Sequence, residues 1–424
     1  MGRGKGATAR AFGELSPAAK LLVLNQFGIC LGFYMVLPFL ATYLRDDLGF
    51  AAALVGLVLG IRTLSQQGLY VVSGTIADRL GARPMIIAGC GLRVVAFGLF
   101  ATTTSLPGIL TATVLTGVAG AIFTPAVVLY LTHESPGRRA EAFSVYNVVA
   151  NAGTLLGPVL GAVLLSVDFR LISAIACAVF ACLTVAQLLV LPKHVVEAPT
   201  GSVLHSWREV LGNRRFLLFT LAGSSYFALF NQLYLALPLE AQRVTGRPEA
   251  VGAIFIVSTV VGIAFGVRIV AWCRARWPAG KSMAIGLALI GAGFVPLAIS
   301  APLIETAGEG LSPAGSLLPA GPALLGTVVF SVGIAVANPF MLELIPIVGN
   351  EKLVATYYGY FYLVSALVAA GISAGVGGLL GLEGAAARWT PFAVLAAIGV
   401  IGGAVIITLQ RRRHLEPVAT GVPS

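Results

Sequence analysis

Two arginines, Arg62 and Arg93, each stand about ten residues inside a long apolar run, and no Asp or Glu lies at matching depth in any other such run. A guanidinium stays charged in a protein and offers five N–H donors and no acceptor. The chemistry open to it there is the holding of carbonyls or of an anion. Placing it near the centre of a bilayer costs at least about 2.5–3.5 kcal/mol on insertion scales. Backbone carbonyls, Gln66, Gln67, water or an anionic ligand are therefore expected around these side chains. Their role is either to brace the second and third runs or to act as counter-charge for a bound molecule. Groups that could exchange a proton lie near the ends of the runs: Asp46, Glu240, Glu343 and His133.

A second constellation is GTIADRLGARP, residues 74–84, where Asp78, Arg79 and Arg83 fall within six residues of a chain that is only 10% charged. A carboxylate such as Asp78 can accept the free N–H groups at a helix N-terminus, a gain of a few tenths to about 1 kcal/mol, more when partly buried. Arg79 and Arg83 can bind that carboxylate, nearby carbonyls or a lipid phosphate, and Gly81 allows a tight turn. A third is Gly153, Gly157 and Gly161, which recur every four residues and so share one helical face that admits close backbone approach. Pro158 can bend that helix. The sequence GIAFG, with Gly262 and Gly266, offers a complementary face in the eighth run.

Catalytic chemistry finds no foothold. The four histidines and five cysteines show no metal-ligand spacing. ARWPAGKS (275–282) ends like a phosphate-binding loop but lacks its first glycine and joins two apolar runs. No hydrolase or kinase motif is present. No enzyme, metal or cofactor is expected.

The elements that must position these residues are membrane helices. The chain is 58% hydrophobic, with a mean hydropathy of +0.93; a soluble domain is about 45–50% apolar and about 25% charged. Apolar windows of spanning length fall near 20–44, 51–76, 84–104, 107–132, 142–166 and 169–192, then near 215–239, 249–272, 282–303, 320–345, 353–380 and 389–410. They lack the strict alternation of barrel strands. The first 19 residues are polar and basic, and the first apolar run is long enough to be kept as an anchor.

The net charge of +10 is distributed as a topology signal rather than as a nucleic-acid surface. With the N-terminus in the cytoplasm, 19 of the 27 Lys and Arg fall in cytoplasmic segments. Five (Arg45, Arg170, Arg243, Arg247, Arg388) fall outside, and three (Arg62, Arg93, Arg268) within spans. That bias predicts both termini inside.

The halves echo each other. Tyr34 and Pro38 recur as Tyr234 and Pro238, 200 residues on. Thr124-Pro125 and GPVLG recur as Asn338-Pro339 and GISAG, 214 residues on. The expected organisation is a cytoplasmic tail (1–19), a six-helix bundle (20–192), a cytoplasmic linker (193–214), a second bundle (215–410) and a tail (411–424). Such a repeat suits transporters that rock two bundles about a central site.

At this point the chain resembles the major facilitator superfamily along nearly its whole length, and within it the bacterial drug–proton antiporters of the multidrug-resistance branch. Gly74, Asp78, Arg79, Gly81 and Arg83 match the signature of the 2–3 loop, with Ala82 in place of an Arg. Gly153, Gly157, Pro158 and Gly161 match the antiporter signature of span 5, with Ala162 in place of its last Gly. The Arg that such antiporters carry in span 4 is absent: Thr113 and Thr116 occupy its motif. The resemblance implies an all-α major-facilitator fold of twelve spans in two pseudo-symmetric six-helix bundles. It also implies that Asp78 latches the bundles, beside the start of span 11. The implied activity is export of amphipathic small molecules by alternating access, coupled to protons, by a monomer in the cell membrane in contact with its lipids. An organic-anion carrier using Arg62 or Arg93, and a non-transporting scaffold, are the alternatives. The implied cavity candidates are Phe33, Tyr34, Phe123, Thr124, Phe230, Asn231, Tyr234, Asn338 and Phe340, with Asn147, Asn151, Tyr358 and Tyr362 adding to them. For proton coupling the candidates stay Glu343, Glu240 and Asp46.

Overall fold

The computed structural model of the chain describes residues 13, 16–70, 72–73, 80–134, 139–165, 168–192, 209–305, 317–349, 354–381, 384 and 387–415. Among them no strand occurs. Eleven of the described helices are long and apolar enough to cross a membrane. The position of the remaining expected span is held by α2, whose described run of 16 residues, Ala52–Gln67, falls short of the roughly 20 that a crossing needs. The chain is a multi-pass helical membrane protein.

Helix numbers follow the spans. α1 is Pro17–Thr42, continued by a π turn at Tyr43–Asp47. α2 is followed by α3 (Ala82–Thr102), α4 (Leu106–Glu134), α5 (Arg139–Leu165) and α6 (Phe169–Val190). The seventh span is broken into α7a (Arg214–Phe230), a 3₁₀ turn (Asn231–Leu233) and α7b (Ala236–Thr245). Then come α8 (Pro248–Arg274), α9a (Ala279–Ala292), α9b (Val295–Ser300), α10 (Leu317–Val348), α11 (Val354–Leu380) and α12 (Thr390–Arg411).

Local chemistry sets several ends. Ser16, Asp168 and Asn213 cap α1, α6 and α7a by accepting the N–H of Ala19, Arg170 and Phe216 at 3.1, 2.8 and 3.0 Å. Gly246 ends α7b with φ of +63°, a left-handed conformation that favours glycine. Pro238 contributes to the break in span 7. Pro238 has no N–H to give the carbonyl of Tyr234, and its ring crowds that carbonyl, so the helix stops and restarts with Pro238 in the first turn of α7b. Pro296 does the same between α9a and α9b.

The chain divides into two compact units, one of residues 1–49, 65–200 and 251–256, the other of 50–64, 201–250 and 257–424. In the first, α1 lies along α5 and α6, and α3 along α4 and α6. Phe39, Phe97, Phe100 and Phe180 are fully buried there. In the second, α9a lies against α10 and α12, and α7a against α11. Residues 50–64 join the second unit because Gly56 and Gly60 of α2 meet Ser373 and Ala370 of α11. A Cβ built on Gly60 would stand 2.8 Å from the Ala370 Cα.

Candidate functional site

The site in the second unit is built on the break in span 7. Where the helix stops, Asn231 and Tyr234 are buried, at 4% and 6% exposure. α2 closes on them from the side. The Thr63 hydroxyl donates to Asn231 Oδ1 at 3.2 Å, and the Arg62 guanidinium sits over the Tyr234 ring, 5.6 Å from its centroid. Arg62 is 7% exposed and also donates to the Thr63 hydroxyl at 3.4 Å. Its surroundings thus include a hydroxyl and an aromatic face, with Asn231 beyond. An aromatic series continues along α7a: Phe230 meets Tyr234 and Tyr226, with centroids 6.0 Å apart in both pairs. Phe227 meets Tyr362 of α11 at 5.6 Å, and Tyr362 meets Tyr358 at 6.3 Å. The Tyr358 hydroxyl donates to the Leu342 carbonyl at 2.6 Å. The arrangement gathers ring faces and a few polar groups, most of them buried. Tyr226, Thr63 and Phe227 are absent from the candidates read from sequence. Tyr226 was findable, being one helical turn before Phe230 and two before Tyr234.

Arg93 lies in the first unit and has different company. It is 5% exposed, donates to the Gly89 carbonyl at 3.3 Å, and stands 4.9 Å from the Phe123 ring centroid and 5.9 Å from that of Phe180. Its Nε has no hydrogen-bond partner among the described residues. The two arginines thus have different surroundings. Arg62 belongs to the break in span 7, and Arg93 to a cage of α3, α4 and α6. Phe123 leaves the cavity candidates with it. Its ring is 2% exposed and forms the floor of that cage.

The other candidates scatter. Phe33 and Tyr34 are half-buried and meet edge-to-face at 5.3 Å. Thr124, Asn147 and Asn151 are exposed, and Asn338 is half-buried. Phe340 is 1% exposed beneath Arg274, 5.7 Å from it, and is core rather than lining.

The glycine face of span 5 has a partner other than the one expected. A Cβ on Gly153 would meet the Phe27 carbonyl at 2.5 Å, and one on Gly157 the Tyr34 Cβ at 2.8 Å. One on Gly161 would meet the Met35 carbonyl. The face closes on α1, whereas Gly262 and Gly266 of α8 have nothing within 4 Å. The reason is register. α8 meets α5 earlier, where a Cβ on Gly252 would lie 3.2 Å from the Ala162 Cβ and 3.3 Å from the carbonyl of Pro158.

Of the 2–3 loop signature, Gly74, Asp78 and Arg79 lie outside the described residues. Gly81 stands before α3 with φ of +85°, a conformation that needs glycine. Arg83 donates from Nε to the Leu191 carbonyl at 2.6 Å and from Nη2 to that of Leu188 at 3.1 Å. It thereby satisfies the free carbonyls that end α6.

Among the carboxylates, Glu240 is 5% exposed and forms a bidentate pair with Arg243, both contacts at 2.7 Å. Arg243 also donates to the carbonyls of Ile304 and Ala301, at 2.9 and 3.3 Å. The pair ties α7b to the segment after α9b. Glu343 pairs with Arg274 at 2.6 Å in a more open setting. Asp46 is exposed on the π turn after α1. The side chain of His133 is outside the described set.

Comparison with known proteins places this geometry. The family model of the Major Facilitator Superfamily matches residues 22–371. An uncharacterized MFS-type transporter of Mycobacterium tuberculosis is 39% identical over 423 residues, 97% of each chain. The multidrug resistance protein MdtH of Aeromonas hydrophila is 28% identical over 407 residues, covering 93% of this chain and 95% of its own. In shape, the chain is similar to the crystal structure of a peptide transporter POT in complex with sulfate. The TM-score is 0.76, at 14% identity, over 97% of this chain and 99% of that one. A POT family transporter in complex with 5-aminolevulinic acid gives a TM-score of 0.76 at 13% identity, over 93% and 96%. These structures share the fold. With the family model spanning most of the sequence and a relative of this similarity along nearly all of it, the chain belongs to the major facilitator superfamily and is a transporter, not an enzyme.

Proposed function

We propose that the chain exports amphipathic small molecules across the bacterial cytoplasmic membrane by alternating access, in exchange for protons. The observation that carries this reading is the break in span 7. Transporters place substrates at discontinuous helices, where freed backbone groups line a cavity. Here the break gathers Arg62, Thr63, Asn231 and Tyr234 beside the rings of Tyr226 and Phe230. Aromatic faces with few directional groups suit substrates that are large and weakly specified. The similarity to a protein named for multidrug resistance supports efflux.

In this reading bundles 20–192 and 215–410 alternate about the site, both termini face the cytoplasm, and the protein works as a monomer. Gly74, Asp78, Arg79, Gly81 and Arg83 form the latch of the 2–3 loop. The candidate proton carriers are Glu343, Glu240 and Asp46; Glu240 is paired with Arg243 and Glu343 with Arg274. The test is transport into inverted membrane vesicles, with a panel of amphipathic cations, neutrals and anions, with and without a proton gradient. Gradient-dependent accumulation of several compounds is expected. No accumulation and no proton signal would overturn the reading.

A second reading, a carrier of organic anions, has one observation in its favour. Asn231 Nδ2 is a buried donor with no hydrogen-bond partner among the described residues, next to Thr63 and close to the cationic Arg62. It predicts saturable exchange of carboxylates or phosphates that Arg62→Gln abolishes in a folded protein.

A further inference from the structure

The second unit holds a cavity of about 440 Å³ away from the break in span 7, between the end of α8, α9a and α10. This is within the range of roughly 300–1,000 Å³ usual for ligand sites. Its wall is apolar: Ile269, Cys273, Ile285, Leu289, Val332 and Val336. Arg268, Trp272 and Trp277 complete it, and no Asp or Glu is among the lining residues.

The turn from α8 into α9a arranges the polar side of this cavity. It folds Trp277 back on Trp272, edge to face, with centroids 4.9 Å apart. Each ring then carries a cation: Arg276 stands 4.5 Å from the Trp272 centroid, and Lys281 stands 5.4 Å from that of Trp277. The neighbouring Arg274 is committed to Glu343. Trp272 is 47% exposed, so its ring is available to an incoming chain.

We propose that this cavity seats an acyl chain of an anionic phospholipid, whose phosphate is held by Arg268, Arg276 and Lys281. Two features together select that occupant. A free inorganic anion would engage the charges and leave the apolar wall empty. A zwitterionic lipid would fill the wall but bring a positive group to three cations. Tryptophan belongs at the boundary between acyl chains and headgroups, where its ring is apolar and its N–H is wet. A guanidinium stacked on such a ring keeps its planar fork free for phosphate oxygens. On the orientation proposed above, the turn between spans 8 and 9 faces the cytoplasmic leaflet, whose anionic lipids attract basic segments beside the membrane.

The chain has four tryptophans, Trp207, Trp272, Trp277 and Trp389. With Trp207→Phe and Trp389→Phe, the remaining indole fluorescence reports on this cavity alone. The full chain is reconstituted in phosphatidylcholine vesicles doped with acyl-brominated phosphatidylglycerol or, at the same mole fraction, with acyl-brominated phosphatidylcholine. Brominated phosphatidylglycerol is expected to quench with an apparent preference of about tenfold or more, as several basic groups near one headgroup imply. Arg276→Gln with Lys281→Gln should reduce that preference to near one. Val332→Phe, which fills the cavity and keeps every charge, should weaken quenching by both lipids, and it stands in if the double variant does not fold. Equal quenching by the two lipids overturns the assignment. So does a preference unchanged in the charge variant, or quenching by both lipids unchanged in the Val332 variant. Competitive relief of the quenching by an exported amphipathic dye would show a substrate site instead, and would overturn it too.

Discussion

The cage around Arg93 makes a sharp prediction about a buried charge. Its stabilising contacts are the Phe123 ring at 4.9 Å, the Phe180 ring at 5.9 Å and one 3.3 Å bond to the Gly89 carbonyl. A desolvated cation–π contact is worth about 2 kcal/mol at best and less near the 6 Å limit, so the two rings supply roughly 3 kcal/mol. The charged hydrogen bond adds about 1.5–3 kcal/mol. Against this stands a desolvation cost of several kcal/mol for a buried ion. The terms nearly cancel. Arg93→Met, which keeps volume and removes the charge, should therefore change stability by no more than about 1–2 kcal/mol in either direction. Phe123→Leu in the native background loses the nearer ring face, about 2 kcal/mol, and about 1 kcal/mol of packing by the rest of the buried ring. In the R93M background only the packing loss remains. The double-mutant cycle should give a coupling of about 2 kcal/mol. Unfolding in mixed micelles, followed by far-UV circular dichroism against mole fraction of denaturing detergent, measures all four corners. A coupling below about 0.5 kcal/mol, or an R93M loss above about 3 kcal/mol, refutes the cage as the reason Arg93 is tolerated. Transport separates structure from chemistry: a folded R93M protein that still transports excludes Arg93 as substrate counter-charge.

Other outcomes follow from the same geometry. Gly157→Leu forces a side chain into the α1 backbone and should cost at least about 3 kcal/mol, at the severe end of overpacking. Gly266→Leu, with open space around its Cβ, should be neutral or raise Tm slightly through helix propensity. Glu240→Gln takes the carboxylate from a half-buried Arg243 that keeps only its carbonyl acceptors and should lose about 2–3 kcal/mol, seen as lost monodispersity in size-exclusion chromatography. Glu343→Gln breaks a more open pair and should cost under about 1 kcal/mol, so its effect on proton-coupled transport can be read cleanly. Pro238→Ala should leave or raise Tm and lower transport at least about tenfold, since the helix can close across the break; full activity would disconnect the break from function. Asp78→Asn should lower the transport rate with Tm unchanged, and an unchanged rate would remove the latch.

Much of this molecule was legible in its residues because a bilayer leaves few options. Long apolar runs must be helices there, and the run lengths gave nearly every helix. The break in span 7 was half legible. Pro238 belongs to the repeat, but its counterpart Pro38 lies inside an unbroken α1, so proline alone does not decide. What differs is tertiary: at the break, α2 brings Thr63 to the Asn231 side chain and Arg62 to the Tyr234 ring. Glycine spacing showed that span 5 packs closely but not against which helix, because three glycines at four-residue intervals fit any smooth partner. Arg62 and Arg93 were recognised as anomalies, yet aromatic cages leave no local pattern. Phe123 and Phe180 are 30 and 87 residues from Arg93 in sequence. Nothing in the spacing of the two tryptophans at the α8–α9a turn announces the cavity behind them.

The pair of Glu240 and Arg243 has a consequence for biosynthesis. α7b is only 10 residues long and carries both charges, so it is a poor insertion signal by itself. The carbonyls that complete Arg243, those of Ala301 and Ile304, lie 58 and 61 residues further along. At about 5–20 residues per second, the ribosome reaches them roughly 3–12 seconds after Arg243. During that interval the second half of span 7 has its internal ion pair but lacks its acceptors. The bonds that join the second half of span 7 to the end of span 9 therefore form only after both have been made.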